Sequence, residues 1–356
     1  MISQFAAADM SNASNYAQFC EKFDVQSYID YFAAQIYWSN SDWPQNNLAA
    51  WKTNAIDETN PYADGKWRMF LFDTESGQGL YGSANNSVNS NVFNRISSNS
   101  DDMSKMFMKL LKNEDFCKQF ELTMMDLANY NFDPDKTAAV IDHYKTTYKQ
   151  QILDTYDRFF SDSLSGQRGE EKLNNEYKTI TEFYKGREQT ITQTMKQALK
   201  LTGTLAQVNI SNNADKGTVS VNTLTLDGLS SWSGDYFTDY PITVRAAAKE
   251  GCTFDHWEVT GADIDSSKLK ADEIEVPLNG TVSVRAVYSG DASEPQPTAG
   301  SVKGDYNGDG NVTSADLVVL EQFLHGKKVN ISKTDVIEDD LTDTYDLIAL
   351  RKLLLK

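Results

Sequence analysis

The segment Asp305-Tyr306-Asn307-Gly308-Asp309-Gly310-Asn311-Val312-Thr313-Ser314-Ala315-Asp316 constrains this chain more tightly than any other. Oxygen-bearing side chains stand at its first, third and fifth positions (Asp305, Asn307, Asp309). A glycine for a sharp turn follows at the sixth (Gly310), and the seventh offers the Asn311 carbonyl. A hydroxyl at the ninth (Thr313) and a carboxylate at the twelfth (Asp316) complete the series. Hard oxygens at that spacing on one tight loop suit Ca²⁺. A solvated Asp/Gly turn is the alternative, but such turns do not normally carry every ligand position and then enter an amphipathic helix, here Leu317 to Leu324.

About thirty residues later the pattern returns, from Asp335 to Asp346, and leads into a second apolar run from Leu347 to Leu354. A duplicated EF-hand-like loop and helix, with Asp at the twelfth position and no entering helix, resembles a type I dockerin. That resemblance implies a small all-α module that plugs a secreted protein into the cohesin of a scaffoldin, as in the cellulosome, with Ca²⁺ as cofactor. It puts Ser314, Ala315, Glu321 and Gln322 at the cohesin-reading positions. The second loop departs from the pattern, with Ile337 at the third position and Asp340 at the sixth. Asp335, Asp339, Leu341 (through its carbonyl), Asp343 and Asp346 are its candidate ligands, and weaker or distorted calcium binding is expected there.

The chain has 356 residues, 40% of them apolar, enough for more than one core. A net charge of −18 argues against nucleic acid or an anionic membrane surface as partner. No run approaches the roughly 18 apolar residues of a membrane span. The first residues lack the charged and apolar regions of a secretory signal. Because a dockerin works outside the cell, an extracellular location and a longer parent chain are expected. Cys20, Cys117 and Cys252 are widely spaced, which favours neither zinc nor a disulfide framework, and a Cys20–Cys117 bridge is left open. His143, His256 and His325 are scattered and read as structural.

Taken in order, residues 22 to 38 have helical spacing, with Asp24 or Ser27 to start the helix. A loop from Asn40 to Pro44 follows, then two strands, Leu48 to Lys52 and Trp67 to Phe72. Ser83 to Ser100 is poor in apolar residues and reads as a mobile loop. Helices are expected over 105–111, 115–130, 134–160 and 170–201. From Leu205 the period becomes two, predicting strands at 208–210, 218–221, 242–246, 256–259 and 281–288. The stretch Ala247 to Trp257 resembles a turn of surface-protein repeats similar to the internalin B-repeat, with Trp257 in the core. Gly290 to Lys303, with Pro295 and Pro297, reads as a semi-extended linker.

In the first 200 residues, Asp42 stands five residues before Asn47, and the second strand runs into Asp73-Thr74-Glu75-Ser76-Gly77. Protein kinases space a catalytic Asp and a metal-binding Asn in this way, with a second, strand-borne Asp on Mg²⁺. Joined to the Lys66-Trp67-Arg68 strand and the Asn40-x-Asp-Trp-Pro-x-Asn-Asn loop, this resembles the CotH family of spore-coat and surface protein kinases. The resemblance implies a mainly α, α+β kinase-like C-terminal lobe over residues 1–204. It makes Asp42 the catalytic base, with Asn47, Asp73 and Glu75 holding Mg²⁺ and ATP and a protein as substrate; Glu75 stands where the family usually has Asp. No Gly-rich phosphate loop and no strand-borne Lys precede Asp42, so low activity is expected of this stretch by itself. The multidomain reading is completed by a small all-β module at 205–289, a linker at 290–303 and the dockerin at 304–356. Two rivals stay open: a non-catalytic binding component, and a carbohydrate-active enzyme, which lacks a paired Asp/Glu cleft with aromatic subsites here.

Overall fold

The computed structural model describes residues 1–290, 302–327, 329, 331–332, 335–337 and 341–355. Most of the expected linker, together with Asp339 and Asp340, lies outside the described residues. Met1–Gly290 forms one compact unit, and the described residues from 302 onward belong to a second.

The first unit opens with α1 (Ile2–Ala7), α2 (Ala13–Lys22) and α3 (Val25–Tyr37). Asp24 starts α3 by accepting the Ser27 N–H at 3.0 Å. The apolar face of α3 is wide: Tyr28, Ile29, Phe32, Ala33, Ile36 and Tyr37 are all fully buried. Phe32 stacks on Phe107 and Tyr28 stacks on Phe32, at centroid distances of 4.6 and 4.5 Å. β1 (Ala49–Trp51) and β2 (Arg68–Phe70) form an antiparallel hairpin with Ala50 opposite Met69.

The Ser/Asn-rich stretch departs from expectation. After short 3₁₀ turns at Leu80–Gly82 and Ala84–Asn86 it forms α4 (Val92–Ser98), capped by Asn91 and anchored by buried Val92, Phe93 and Ile96. Three apolar residues at helical spacing hold a segment whose composition reads as loop. α5 (Asp102–Leu110) and α6 (Glu114–Asp126) follow, and α6 ends in a π turn, Leu127–Asn131. Then come α7 (Pro134–Phe159), α8 (Ser161–Leu164) and α9 (Gln167–Leu199). From α9 the fully buried Arg187 reaches the end of α3. It donates through Nε to the Tyr37 carbonyl (2.6 Å) and through Nη2 to that of Ile36 (2.9 Å). Its Nη1 donates to the carbonyls of Val88 and Ser90, both at 2.8 Å. Burial lowers its pKa to about 10, but four carbonyls, two of them in the last turn of α3, stabilise the cation. This guanidinium ties the 88–90 loop to the turn that precedes Asn40.

The β region forms two four-stranded sheets, with strands β3 (Leu205–Ser211), β4 (Gly217–Val221), β5 (Leu224–Thr225), β6 (Ser231–Phe237), β7 (Ile242–Ala248), β8 (Cys252–Thr260), β9 (Glu273–Val276) and β10 (Val282–Gly290). One sheet runs β6-β3-β10-β8 and the other β5-β4-β7-β9. Only the β3–β10 pairing is parallel. Alternate residues such as Val208, Ile210, Val282 and Val284 from one sheet and Val219, Val221, Ile242 and Val244 from the other are buried in one apolar cluster. Strands β5, β6 and β9 escape the period-two signal: β6 is rich in serine and glycine, while β5 and β9 are short. Trp257 is buried, and its Nε1 donates to the Ala271 carbonyl at 2.9 Å. The cysteines are unpaired.

The same apolar cluster runs on into the helical part. Polar ties reinforce the join. Asp126, at the end of α6, accepts from Asn222 Nδ2 (3.0 Å), Thr223 N (2.9 Å) and the Tyr236 hydroxyl (2.8 Å). Asn129 exchanges hydrogen bonds with the backbone of Asp235, donating to its carbonyl at 2.8 Å and accepting its N–H at 3.0 Å.

In the second unit, α10 (Ser314–Leu324) and α11 (Thr344–Leu354) pack on one another around buried Tyr306, Leu320 and Leu350. Each helix begins with a capping box, Thr313 with Asp316 and Asp343 with Asp346. Among the described residues no helix is long and apolar enough to cross a membrane.

Candidate functional site

Two separate constellations carry the predicted site residues. In the first unit, the loop after α3 and the segment after β2 are laced together. The Ser41 N–H and hydroxyl both donate to the Ser76 carbonyl at 3.0 Å, and the Gln78 N–H donates to the Trp38 carbonyl at 2.8 Å. A Cβ at Gly77 would lie 2.8 Å from the Trp38 carbonyl oxygen, so this close approach requires glycine. Trp43 is fully buried against Tyr31 and Phe32, and the Trp43–Pro44 peptide bond is cis.

Asp42 is held from both sides. Asn46 Nδ2 donates to Oδ1 at 2.7 Å and Asn47 Nδ2 donates to Oδ2 at 3.1 Å. Asn47 therefore turns its own Oδ1 away from Asp42. Its backbone has a left-handed φ of 54°, and the Tyr31 hydroxyl donates to its carbonyl at 2.9 Å. Asp73 likewise has φ 55°. A hydrogen bond that the protonated Glu75 carboxyl donates to Asp73 raises the Glu75 pKa, and the nearby charges of Asp73 and Asp42 push the same way. Asn47 thus sits on Asp42, and Glu75 lies beside Asp73 and senses the charge of Asp42, all at the solvent edge; among the described residues, however, no three such acidic side chains gather closely enough to form a ready metal cluster. Carboxylate and amide oxygens of this kind have the donor chemistry that suits a hard divalent cation. Sequence reasoning gave no role to Gln35, Asn40 or Arg95, which line the back of this loop; Asn40 alone carried a signal, as the first residue of its motif.

In the second unit, Asp305 and Asp316 are buried, although both are carboxylates. Asp305 accepts the N–H groups of Gly308 (2.8 Å), Asp309 (3.1 Å) and Gly310 (2.7 Å). Asp316 reaches back to those of Asn307 (2.9 Å) and Thr313 (2.8 Å). Gly310 sits at φ +86°, a conformation in which a side chain is strained. Asn307, Asp309 and Asn311 occupy the exposed rim. Buried carboxylates at both ends of an oxygen-lined loop fit Ca²⁺. Asp346 repeats the arrangement, accepting from Val336 N (2.8 Å) and Asp343 N (3.0 Å), so the second loop keeps the wiring of the first. Ile337, however, is exposed at a ligand position and offers no side-chain oxygen. Among the described residues, no three His, Cys, Asp or Glu side chains gather closely enough to form a ready metal cluster; in the first loop amide and carbonyl oxygens would make up the set. Ser314 and Ala315 are exposed at the start of α10, whereas Glu321 and Gln322 are half-buried and Glu321 pairs with Arg351 of α11.

A kinase-like helical lobe and a paired loop-helix docking module are therefore the two classes these features define. A family model described as CotH kinase protein matches residues 1–191. One described as dockerin type I domain matches residues 303–355. The chain belongs to the CotH kinase protein family and carries a type I dockerin toward its C-terminus. Type I dockerin domains bind calcium, and the module implies cohesin docking in an extracellular cellulosome. No curated protein and no solved structure matches the chain.

Proposed function

We propose that this protein is a calcium-dependent cellulosomal component that presents a kinase-like lobe (residues 1–204) and a β module (205–289) on a dockerin (304–356). The observation that carries the reading is the repeated wiring of Asp316 and Asp346, which closes both loops onto the first turns of two packed helices. Calcium is held by Asp305, Asn307, Asp309, Asn311, Thr313 and Asp316. A weaker second site uses Asp335, Asp339, Leu341, Asp343 and Asp346. Ser314, Ala315, Glu321 and Gln322 read the cohesin. A bulky cation at the exposed Ala315 obstructs that face without touching the buried core. Ala315→Arg is expected to lower affinity for cohesins from the same source at least tenfold with calcium present. Equal retention of wild type and variant in pull-downs, or undiminished capture in chelator, would contradict the reading.

For the first unit, we infer phosphoryl transfer from Mg²⁺-ATP to a protein hydroxyl; the family match, the hold of Asn47 on Asp42 and the nearness of Glu75 to Asp73 support it. Asp42, steadied by two amides, accepts the hydroxyl proton. Asn47, Asp73 and Glu75 would hold the metal, which when bound would neutralise charge on the phosphates. Positioning supplies much of the rate in this chemistry, so loss of a metal-holding carboxylate is costly. Asp73→Ala should therefore abolish transfer. Radiolabelled γ-phosphate incorporated equally by both proteins would remove the assignment. The rival reading, a non-catalytic scaffold, predicts no incorporation by either.

A further inference from the structure

Asn40 is fully buried at the turn between α3 and Asp42. Its Oδ1 accepts the Asp42 N–H at 3.1 Å. Its Nδ2 donates to Gln35 Oε1 at 2.9 Å and to the Asp73 carbonyl at 3.4 Å. The Asn40 carbonyl in turn accepts from the Arg95 guanidinium on α4. One side chain therefore touches the backbone of both acidic segments, and a helix from the neighbouring segment braces it from behind.

Resting on the metal-site reading above, we infer that Asn40 is a positioning residue that sets the separation of Asp42 and Asp73 for a divalent cation. Like charges drive the two acidic segments apart whenever no cation lies between them. A tie made through backbone groups holds them together without using any carboxylate oxygen, so the ligands are already ordered when the metal arrives. The chemistry selects asparagine, because the position needs one acceptor for Asp42 N–H and donors for both Gln35 and Asp73. Aspartate has no donor, and serine is too short to reach the Asp73 carbonyl while still able to serve Asp42.

The test measures Mn²⁺ binding to the full chain by the loss of the free-ion electron paramagnetic resonance signal, with calcium in excess to fill the dockerin loops. Wild type is expected to bind one more Mn²⁺ than Asp73→Ala. Asn40→Ala and Asn40→Ser are each expected to weaken that site about 10- to 100-fold, as loss of outer-shell partners does elsewhere. Leu110→Ala, a core variant on α5 whose side chain makes none of these hydrogen bonds, should lower the melting temperature yet keep the affinity. If both Asn40 variants bind like wild type while Asp73→Ala loses the site, the positioning role is overturned and the metal site stands. If Leu110→Ala weakens binding as much as they do, the effect is general destabilisation and the inference is equally overturned. If wild type binds no more Mn²⁺ than Asp73→Ala, the metal reading fails and takes the inference with it.

Discussion

Chelation of calcium is expected to melt the module that begins at residue 302 while the melting transition of residues 1–290 stays in place. The reason is the size of the core. Tyr306, Leu320 and Leu350 are the fully buried apolar residues described in that module, far fewer than a domain needs to fold on hydrophobic burial alone. Its helices have 11 residues each, too short to persist unaided in water. Asp305 and Asp316 must also be buried as carboxylates, which is costly unless a cation or donors compensate. Calcium at about 100 times its Kd adds roughly 2.7 kcal/mol per site, a large share of the stability of so small a module. Calorimetry of the full chain should show two transitions, the lower one moving up with free calcium. Asp305→Ala should remove most of that movement, and Asp335→Ala less of it. A lower transition indifferent to both calcium and Asp305→Ala would sink the metal assignment.

The second large effect is expected from Glu121, on the face of α6 that meets the β sheets. It is fully buried, and burial raises its carboxyl pKa well above the usual range. Neither oxygen has a well-formed hydrogen bond, although the Phe237 main chain lies close enough to offset part of the rise. The charges of Asp126 and Asp239 raise it further. Asp126 is itself pushed up to about 6, chiefly by burial, against four hydrogen-bond contributions that favour its charge. A carboxyl whose pKa is raised on folding binds its proton more tightly in the native state. Its stabilising contribution is therefore complete below the unfolded value, near 4.5 for Glu121 and 3.8 for Asp126, and is lost as pH rises toward the folded value. Each such group can cost about 1.4 kcal/mol per pH unit across its window. The first unit should lose stability as pH rises above about 5. Glu121→Gln keeps the shape and removes the titration, so it should raise the melting temperature by several degrees at pH 8 and little at pH 4.5. Parallel curves of melting temperature against pH for the two proteins would show that folding leaves the Glu121 pKa unshifted.

Much of this architecture is legible in the chain because it is local. The ligand spacing from Asp305 to Asp316 needs no knowledge of the rest of the protein, since one loop supplies every oxygen and its glycine conformation is written in the same twelve residues. The helices α3, α7 and α9 and the strands β3, β7 and β10 follow from apolar periodicity, with caps such as Asp24 and Asp133 in place. The pairing of Asp42 with Asn47 is likewise a matter of five residues, and Asp73 follows directly from its strand.

What the sequence could not show depends on groups brought together from far apart. The α4 helix forms where composition reads as loop, because Val92, Phe93 and Ile96 find a core made by other helices. The join between α6 and the sheets rests on Asp126 meeting Asn222, Thr223 and Tyr236, about a hundred residues away. A buried carboxylate looks like a solvated one until the fold closes over it, and nothing local to Glu121 announces its burial. Asn40 shows the same limit at the candidate site: its place in a motif was visible, but its bond to the Asp73 carbonyl exists only after the hairpin has folded back over α3. Local spacing sets which atoms a segment can offer, while burial and the partners those atoms meet are properties of the closed tertiary structure alone.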